Sequence, residues 1–223
     1  MKRRTLAVAL LSALTLAAAK PKSVPIQDEP MHHVKLANDW VRVFDVLVPP
    51  HEKTLFHIHA HDYVFVTLGD SRIRSEKADG AATELVLKDG EASYTPAPLV
   101  HRAVNLAAMP FRNITVEILG TPGAAPEPPM PAMPGRSVAY ENEKIRIDRQ
   151  VLEPGQSTGV HTHTLMSLGV VVSPARVEYS EEGGKPEVFD LAAGEFSWHG
   201  KPRTHSLKNV GTTRFEAIEI ELK

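Results

Sequence analysis

One histidine pattern occurs twice in this chain, 104 residues apart, and the repeat limits the folds that the chain can adopt. In each copy two histidines stand one residue apart, and a third follows 42 residues after the second. The residues are His57, His59 and His101 in the first copy, and His161, His163 and His205 in the second. Neutral imidazoles that gather at one point are a ready site for a divalent transition metal. The pattern therefore predicts two similar domains, each with a candidate metal site.

The repeat continues outside the histidines without a gap from about Val34 to Glu117. At the same offset several residues are identical, and examples are Asn38 and Asn142, Arg42 and Arg146, Asn105 and Asn209, and Phe111 and Phe215. Scattered coincidences would not keep register over such a length, so an internal duplication explains the pattern. A period of about 100 residues has the size of a domain rather than of a solenoid repeat.

Residues 1–19 have the pattern of a secretory signal peptide. A positively charged start, Lys2 to Arg4, precedes a mostly apolar stretch from Leu6 to Leu16, and three alanines stand before Lys20. The apolar stretch is short for a membrane span. We therefore expect cleavage and a periplasmic or secreted protein, and an uncleaved anchor helix is the alternative.

The composition argues against several classes of partner. Removing the signal peptide takes away three of the 25 lysines and arginines and leaves the 27 aspartates and glutamates in excess. No basic block remains, so neither nucleic acid nor a membrane surface is expected as a partner after cleavage. The chain contains no cysteine, so stability must come from the hydrophobic core or from metal. The sequence leaves the oligomeric state open, a homo-oligomer included.

Between the copies, residues 121–135 contain six prolines, which favour an extended connector over a helix or a strand. A ligand for a proline-binding module is the alternative interpretation. The predicted organisation is a signal peptide at 1–19, a first domain at 20–118, a linker at 119–136 and a second domain at 137–223. Domains of this size have modest cores, so we expect the two to pack against each other.

Short runs of alternating apolar residues predict strands through most of the mature chain. Val41 and Val43 show the alternation, and turn signals such as LGD (68–70) and EEGG (181–184) separate the runs. This spacing indicates an antiparallel sandwich or barrel. No stretch after the signal peptide has clear helical periodicity. The predicted fold is all-β, with two tandem antiparallel β-barrel domains of the jelly-roll type.

The strand prediction explains why the histidines are spaced as they are. Residues i and i+2 of a strand point to the same face, so His57 and His59 can lie side by side. The third histidine has to come from another strand. Three protein nitrogens leave coordination positions open, as a catalytic metal site needs. The alternative is that the pairs are interior or surface histidines without a metal.

These motifs resemble the two signature motifs of the cupin superfamily, and two copies resemble a two-domain cupin, or bicupin. The residues that match the second motif are Gly90, Pro96, His101 and Asn105 in the first copy, and Gly194, His205 and Asn209 in the second. Gly155 matches the glycine that opens the first motif, where the first copy has His51. The resemblance covers nearly all of the mature chain and implies two cupin-like barrels.

The resemblance fails at one position that matters for chemistry. Cupins often bind metal through two histidines, a glutamate four or five residues further on, and a final histidine. Those positions hold Tyr63 and Val64 in the first copy, and Ser167 and Leu168 in the second. What remains resembles the three-histidine set of some cupin dioxygenases that use iron, and a weak, labile or lost site fits equally. The metal stays open among Fe, Zn, Mn, Ni and Cu. A neutral ligand set would favour an anionic small molecule.

The sequence leaves the roles of several further polar residues undecided. His61 has three alternatives, a rim residue, a fourth ligand or a proton shuttle, and Tyr63 stands near it. Because of these extra groups we expect the first copy to be the more active one. Arg72 and Arg176 are either solvated strand residues or clamps for a carboxylate. His32 and His33 are predicted to be a surface pair.

Three functions remain open at this point. The first is a metal-dependent enzyme of the dioxygenase or isomerase type that acts on a small polar metabolite. The second is a non-catalytic module that binds a small ligand or a metal. The third is a storage or structural barrel with vestigial histidines. No catalytic residue is assigned, because the fold alone does not decide among these.

Overall fold

The structure, a computed structural model, describes residues 21–123 and 133–223, and nearly all of its regular structure is β-strand. The strands of the first half are β1 Val24–Pro25, β2 His32–Ala37, β3 Val41–Val48, β4 His57–His59, β5 Tyr63–Leu68, β6 Ser71–Lys77, β7 Ala82–Leu87, β8 Ala92–Thr95, β9 Leu99–Asn105 and β10 Phe111–Ile118. A short 3-10 helix, Ile26–Asp28, follows β1. The predicted signal peptide and residues 124–132 of the predicted linker lie outside the described residues.

The second half repeats the same series of strands. They are β11 Arg136–Glu141, β12 Ile145–Leu152, β13 His161–His163, β14 Met166–Ser173, β15 Ala175–Glu181, β16 Glu187–Leu191, β17 Phe196–His199, β18 Arg203–Asn209 and β19 Phe215–Leu222. Among residues 21–123 and 133–223, no helix has the length and apolar character needed to span a membrane.

Each half consists of two sheets, and the strand order is the same in both halves. The first half has the orders β1-β4-β9-β6-β7 and β2-β3-β10-β5-β8, and the second has β13-β18-β15-β16 and β11-β12-β19-β14-β17. The exception is β1, which pairs in parallel with β4, whereas the other strand pairs of the described residues are antiparallel. The prediction of two all-β jelly-roll domains is confirmed, although the sheets do not close into continuous barrels.

Alternation along the strands sends side chains to two different cores. On β3, Val41 and Val43 face the other half of the chain, whereas Phe44, Val46 and Val48 point into their own jelly roll. The same alternation holds on the equivalent strand β12, because successive side chains of a strand point to opposite faces. One sheet of each half therefore contributes to two cores at once.

The core between the halves is built from equivalent positions. Its buried residues are Val41, Val43, Val64, Val66, Leu68, Ile114, Val116 and Ile118 in the first half, and Ile145, Ile147, Leu168, Val170, Val172, Ile218, Ile220 and Leu222 in the second. Full burial of one such side chain contributes about 1.5–3 kcal/mol. The expected packing of the two domains against each other is thus the main apolar contact of the molecule.

The two jelly rolls differ in how their interiors are filled. Seven buried apolar residues form the inner core of the first half, with Phe44 and Phe111 as its largest members. The inner core of the second half has four, Leu152, Ala175, Val177 and Phe215. The interior of the second half is therefore less filled by apolar side chains, which leaves room for a cavity.

Candidate metal centres

Strand pairing brings the three predicted histidines of each half together. His57 and His59 lie on β4, and His101 lies directly opposite His57 on β9. The second half uses the same register, with His205 on β18 opposite His161 on β13. In each half the ligand nitrogens of all three residues lie within 4.8 Å of one another. The grouping follows from the spacing, because alternation puts the pair on one face and the register adds the third residue.

In the first half, hydrogen bonds orient two of the three rings. His57 Nδ1 donates to the carbonyl oxygen of Leu55 at 3.0 Å, so its Nε2 carries a free lone pair. His101 Nδ1 lies 2.9 Å from Ser75 Oγ, and its Nε2 lies 3.2 Å from Nε2 of His59. The Nε2 atoms of His59 and His101 therefore lie close together.

The second triad has the same orientation. His161 Nδ1 donates to the carbonyl oxygen of Gly159 at 3.0 Å, and His163 Nδ1 donates to Glu221 Oε1 at 3.0 Å. In the uncharged rings these Nδ1 donors leave a lone pair on each Nε2, and the two Nε2 atoms lie 3.0 Å apart. Both nitrogens of His205 are buried without a hydrogen-bond partner in the described part of the chain. This donor set fits a metal ion.

Burial keeps the imidazoles in the form that binds metal. It lowers the pKa of His57 to about 4 and that of His101 to about 3, and neighbouring histidines add to the effect. It also lowers the pKa values of His59 and His161, and that of His205 to about 3. At neutral pH these rings are therefore uncharged, and a neutral imidazole is the ligand form.

The first triad is covered by side chains that the sequence analysis placed elsewhere or left open. The ring of Tyr63 stacks on His59 with 3.8 Å between centroids, and burial raises the pKa of Tyr63 to about 12. His32 is buried, with its ring centroid 4.6 Å from that of His57 and its Nδ1 2.5 Å from Glu29. The prediction of a surface pair was wrong for His32, whereas His33 is exposed. The reason is that His32 begins strand β2 and points inward there.

Two carboxylates, both missed by the sequence analysis, lie beside the second triad. Glu219 and Glu221 point inward from β19, and together with His163 they form a further group of possible metal ligands. Burial alone would raise the pKa of Glu219, but His163 and Arg203 lower it below the ordinary value. The glutamate missing from the usual position thus has a counterpart on another strand. The signal in the sequence was acidic residues at alternate positions of an otherwise apolar strand, in IEIEL (218–222).

Arginines pair with buried glutamates at equivalent positions of the two halves. Arg42 donates to Glu117 at 3.0 Å, and the equivalent Arg146 pairs with Glu221. Burial raises the pKa of Glu117 above its ordinary value despite the arginine. Asp148, which pairs with Arg136, also has a raised pKa because it is buried. Each half therefore has an Arg–Glu pair at the same position, with Arg42 partly exposed and Arg146 almost fully buried.

The second triad opens onto a cavity of about 880 Å³. Its wall includes His161, His163 and His205, together with Arg203 and Trp198. This cavity gives the second copy room for a ligand. It runs against our expectation that the first copy is the more active one.

Other residues singled out in the sequence lie away from the triads. Arg72 and Arg176 are more than half exposed and pair with Glu84 and Asp190 across their strands, as solvated residues do. His61 is half-buried near Glu117 and is not part of the first triad. His51 is exposed in a turn, where its φ of 62° matches the φ of 83° at Gly155.

The motif asparagines close turns rather than face the metal sites. Asn105 Nδ2 donates to the carbonyl oxygens of Val48 and Met109, at 3.0 and 2.8 Å. Asn209 makes the equivalent bonds to Leu152 and Thr213, at 2.9 and 2.8 Å. Both asparagines therefore fix the turn that follows the strand of the third histidine.

No protein-family model and no curated protein matches the chain. Solved structures do share its architecture. AerE from Microcystis aeruginosa is 14% identical, with a TM-score of 0.64 over 91% of this chain and 97% of that one. A salicylate 1,2-dioxygenase from Pseudaminobacter salicylatoxidans is 15% identical, with a TM-score of 0.61 over 88% of this chain and 77% of that one.

A third structure carries the family name in its description. The cupin 2 conserved barrel domain protein from Leptotrichia buccalis is 13% identical, with a TM-score of 0.54 over 86% of this chain and 88% of that one. At such identities the likeness concerns the fold. It agrees with the resemblance that the two motifs showed in both halves.

Proposed function

We propose that this chain, which has the two-domain cupin fold, binds a divalent transition metal at both histidine triads and a small molecule beside the second one. The observation that carries the proposal is the 3.0 Å separation of the Nε2 atoms of His161 and His163. Two nitrogens that bind one ion at about 2.0–2.1 Å are about 3.0 Å apart when their bonds are perpendicular. When both rings are uncharged, their Nε2 lone pairs face each other at this distance, and a cation between them removes the repulsion.

The residues around the second triad have distinct parts in this proposal. Glu221 accepts the Nδ1 proton of His163 and so fixes the ring with Nε2 toward the ion. Glu219 accepts a hydrogen bond from Ser167 at 2.7 Å and one from Arg203 at 2.9 Å, which keeps its carboxylate in place beside His163. When bound, an ion of the Fe, Zn, Mn, Ni or Cu series would polarise the small molecule or activate O2.

The activity that we propose is that of a metal-dependent enzyme, of the dioxygenase or isomerase type. Three protein ligands leave coordination positions open, and the cavity gives a substrate room to reach them. A salicylate 1,2-dioxygenase is among the structures with the same fold. The second candidate is a binding module without turnover. It is favoured by the pairing of Glu219 and Glu221 with arginines, which occupies both carboxylates.

Metal analysis of the purified full chain tests the proposal. We expect two equivalents of metal per chain, and the loss of one equivalent in each of the variants His57→Ala and His161→Ala. His33→Ala is the matched control, because His33 is exposed and outside both triads. Metal content that stays unchanged in both triad variants would contradict the proposal. Oxygen consumption by the iron-loaded protein would favour the dioxygenase, and bound metal without turnover would favour the binding module.

Export to the periplasm or the medium is also part of the proposal. It rests on residues 1–19 of the sequence, with their charged start and apolar stretch. The test is N-terminal sequencing of the protein from cell fractions. We expect the mature chain to begin at Lys20 in the exported fraction, whereas an intact N-terminus in the membrane fraction would indicate the anchor helix instead.

A further inference from the structure

The two copies differ at the inward positions of two equivalent strands, β5 and β14. On β5 the inward residues Tyr63 and Phe65 are large, and they stack on His59 and pack against the inner core. The equivalent residues on β14 are Ser167 and Gly169. A Cβ added at Gly169 would meet Ser197 Oγ at 3.5 Å, which is ordinary contact. The second jelly roll is therefore hollow where the first is filled.

A charged side chain enters this space only in the second copy. Arg203 stands where the first copy has Leu99, and its side chain is 9% exposed. Its Nη1 donates to Ser167 Oγ at 3.2 Å and its Nη2 to Glu219 at 2.9 Å. Its Nε is buried and has no hydrogen-bond partner in residues 21–123 and 133–223. The hydrogen-bonding capacity of this guanidinium is thus not used up by the protein.

The charges near the second triad balance before a metal is counted. Arg203 pairs with Glu219, and the two arginines Arg136 and Arg146 pair with Asp148 and Glu221. The metal-binding form of histidine is the uncharged imidazole, so the three ligands would add no charge. A divalent ion would keep its full charge there, and this charge favours an anionic ligand.

Apolar side chains line the same cavity away from the charged groups. Val177 and Phe215 belong to the small inner core of the second half, and Leu191, Leu207 and Ala217 pack against it. An inorganic anion would leave this surface uncovered. A ligand with an apolar body would remove it from water.

Taking these observations together, and resting on the proposed function, we propose that the second cavity binds a small organic carboxylate with an apolar body. The carboxylate lies between the metal and the guanidinium of Arg203, and the apolar body lies against the small inner core. The first copy does not take such a ligand, because Tyr63 and Phe65 fill the equivalent space. The duplication thus has one ligand-binding half and one filled half.

The test is isothermal titration of the zinc-loaded full chain with benzoate and with benzamide, its neutral analogue of the same shape. We expect one benzoate site, with benzamide binding at least about tenfold more weakly because it lacks the charge. Arg203→Gln is expected to weaken benzoate binding by a similar factor. Arg176→Gln is the matched control, since it removes an exposed arginine from the same half.

Two further variants keep the result interpretable. Arg203→Lys preserves a positive partner for Glu219 but not the planar guanidinium, and it replaces Arg203→Gln if that variant does not fold. Gly169→Phe restores the bulk that the first copy has at Phe65, and we expect it to abolish benzoate binding while zinc remains bound. Zinc is measured in every sample, so that loss of the metal and loss of the carboxylate site are separate results.

Three outcomes would overturn the carboxylate proposal. They are equal affinities for benzoate and benzamide, full affinity in both Arg203 variants, and benzoate binding that survives Gly169→Phe. If zinc does not bind but benzoate still binds in a way that depends on Arg203, the proposed function is contradicted and only the contact with Arg203 is supported. Bound zinc without any benzoate site would contradict the carboxylate proposal and leave the proposed metal binding supported.

Discussion

Nδ1 of His163 lies 3.0 Å from Oε1 of Glu221, whereas the equivalent His59 is stacked on Tyr63. A carboxylate that accepts a proton from a metal-ligating histidine fixes the tautomer and raises the basicity of the ring. The two triads have similar geometry, but their supporting contacts differ. This difference leads to the first prediction.

Glu221→Gln is expected to weaken zinc binding at the second triad by about 10–100-fold, because His163 loses its carboxylate partner. The measurement is competition with a chelator of known affinity. Glu117→Gln is the matched control, since Glu117 is the equivalent residue and pairs with Arg42. Equal weakening of one site in both variants, or none in Glu221→Gln, would contradict the role of Glu221.

The metal-free protein is expected to lose stability as the pH falls below about 6.5, the ordinary pKa of histidine. The unfolded chain then gains protons, whereas burial holds the pKa of His57 at about 4 and those of His101 and His205 at about 3. The stability that these neutral histidines contribute is therefore fully present above pH 6.5. The free energy of unfolding then falls by up to about 1.4 kcal/mol per pH unit for each of these histidines, until about pH 4 for His57 and about pH 3 for His101 and His205.

Urea denaturation at pH 8, 7, 6 and 5 measures this effect on the chelator-treated protein. His205→Gln should have a shallower pH dependence than the wild-type chain, because it has one buried histidine fewer. A free energy of unfolding that stays constant from pH 8 to pH 5 would rule out the buried neutral histidines as its source.

Ile218→Ala is expected to lower the free energy of unfolding by about 2–5 kcal/mol. Ile218 is fully buried in the core between the halves, so the change leaves a cavity at the contact of the two domains. Val188→Ala is the control, because Val188 is 48% exposed on β16. A loss no larger than that of the control would show that this core contributes little to stability.

Gly155→Ala is expected to destabilise the chain by about 1 kcal/mol through backbone strain alone. The φ of Gly155 is +83°, and an added Cβ would meet no atom within 4 Å. Gly169→Ala provides the comparison, because Gly169 lies in strand β14 and has space for a methyl group. Neither position crowds an added methyl group, so the difference in thermal unfolding between the two variants reports the strain at Gly155. Equal stability of the two variants would argue against strain.

The strands and the triads could be predicted from the sequence because both depend on local alternation and on the repeat. Once His57 and His59 share a face, the equivalent spacing to His101 and His205 requires the same strand register in both halves. The fold followed from the same alternation, repeated between turn residues.

The remainder of the site depends on contacts between distant strands. Glu219 and Glu221 lie on β19, the strand after the one that carries His205. Only the pairing of β19 with its neighbours shows that they reach His163. His32 lies in a polar stretch, HHVK (32–35), and its burial follows from the pairing of β2 with β3. The cavity in turn depends on packing, which the spacing of motifs does not report.

The core between the halves has a consequence for how the two sites came to differ. Each of its eight residues in the first half is matched by the residue 104 positions later, so the contact has the self-complementary form of an isologous homodimer interface. In a homodimer every substitution changes both sites together. Joined in one chain, the same pair of domains can accept Gly169 in one subsite while retaining Phe65 in the other.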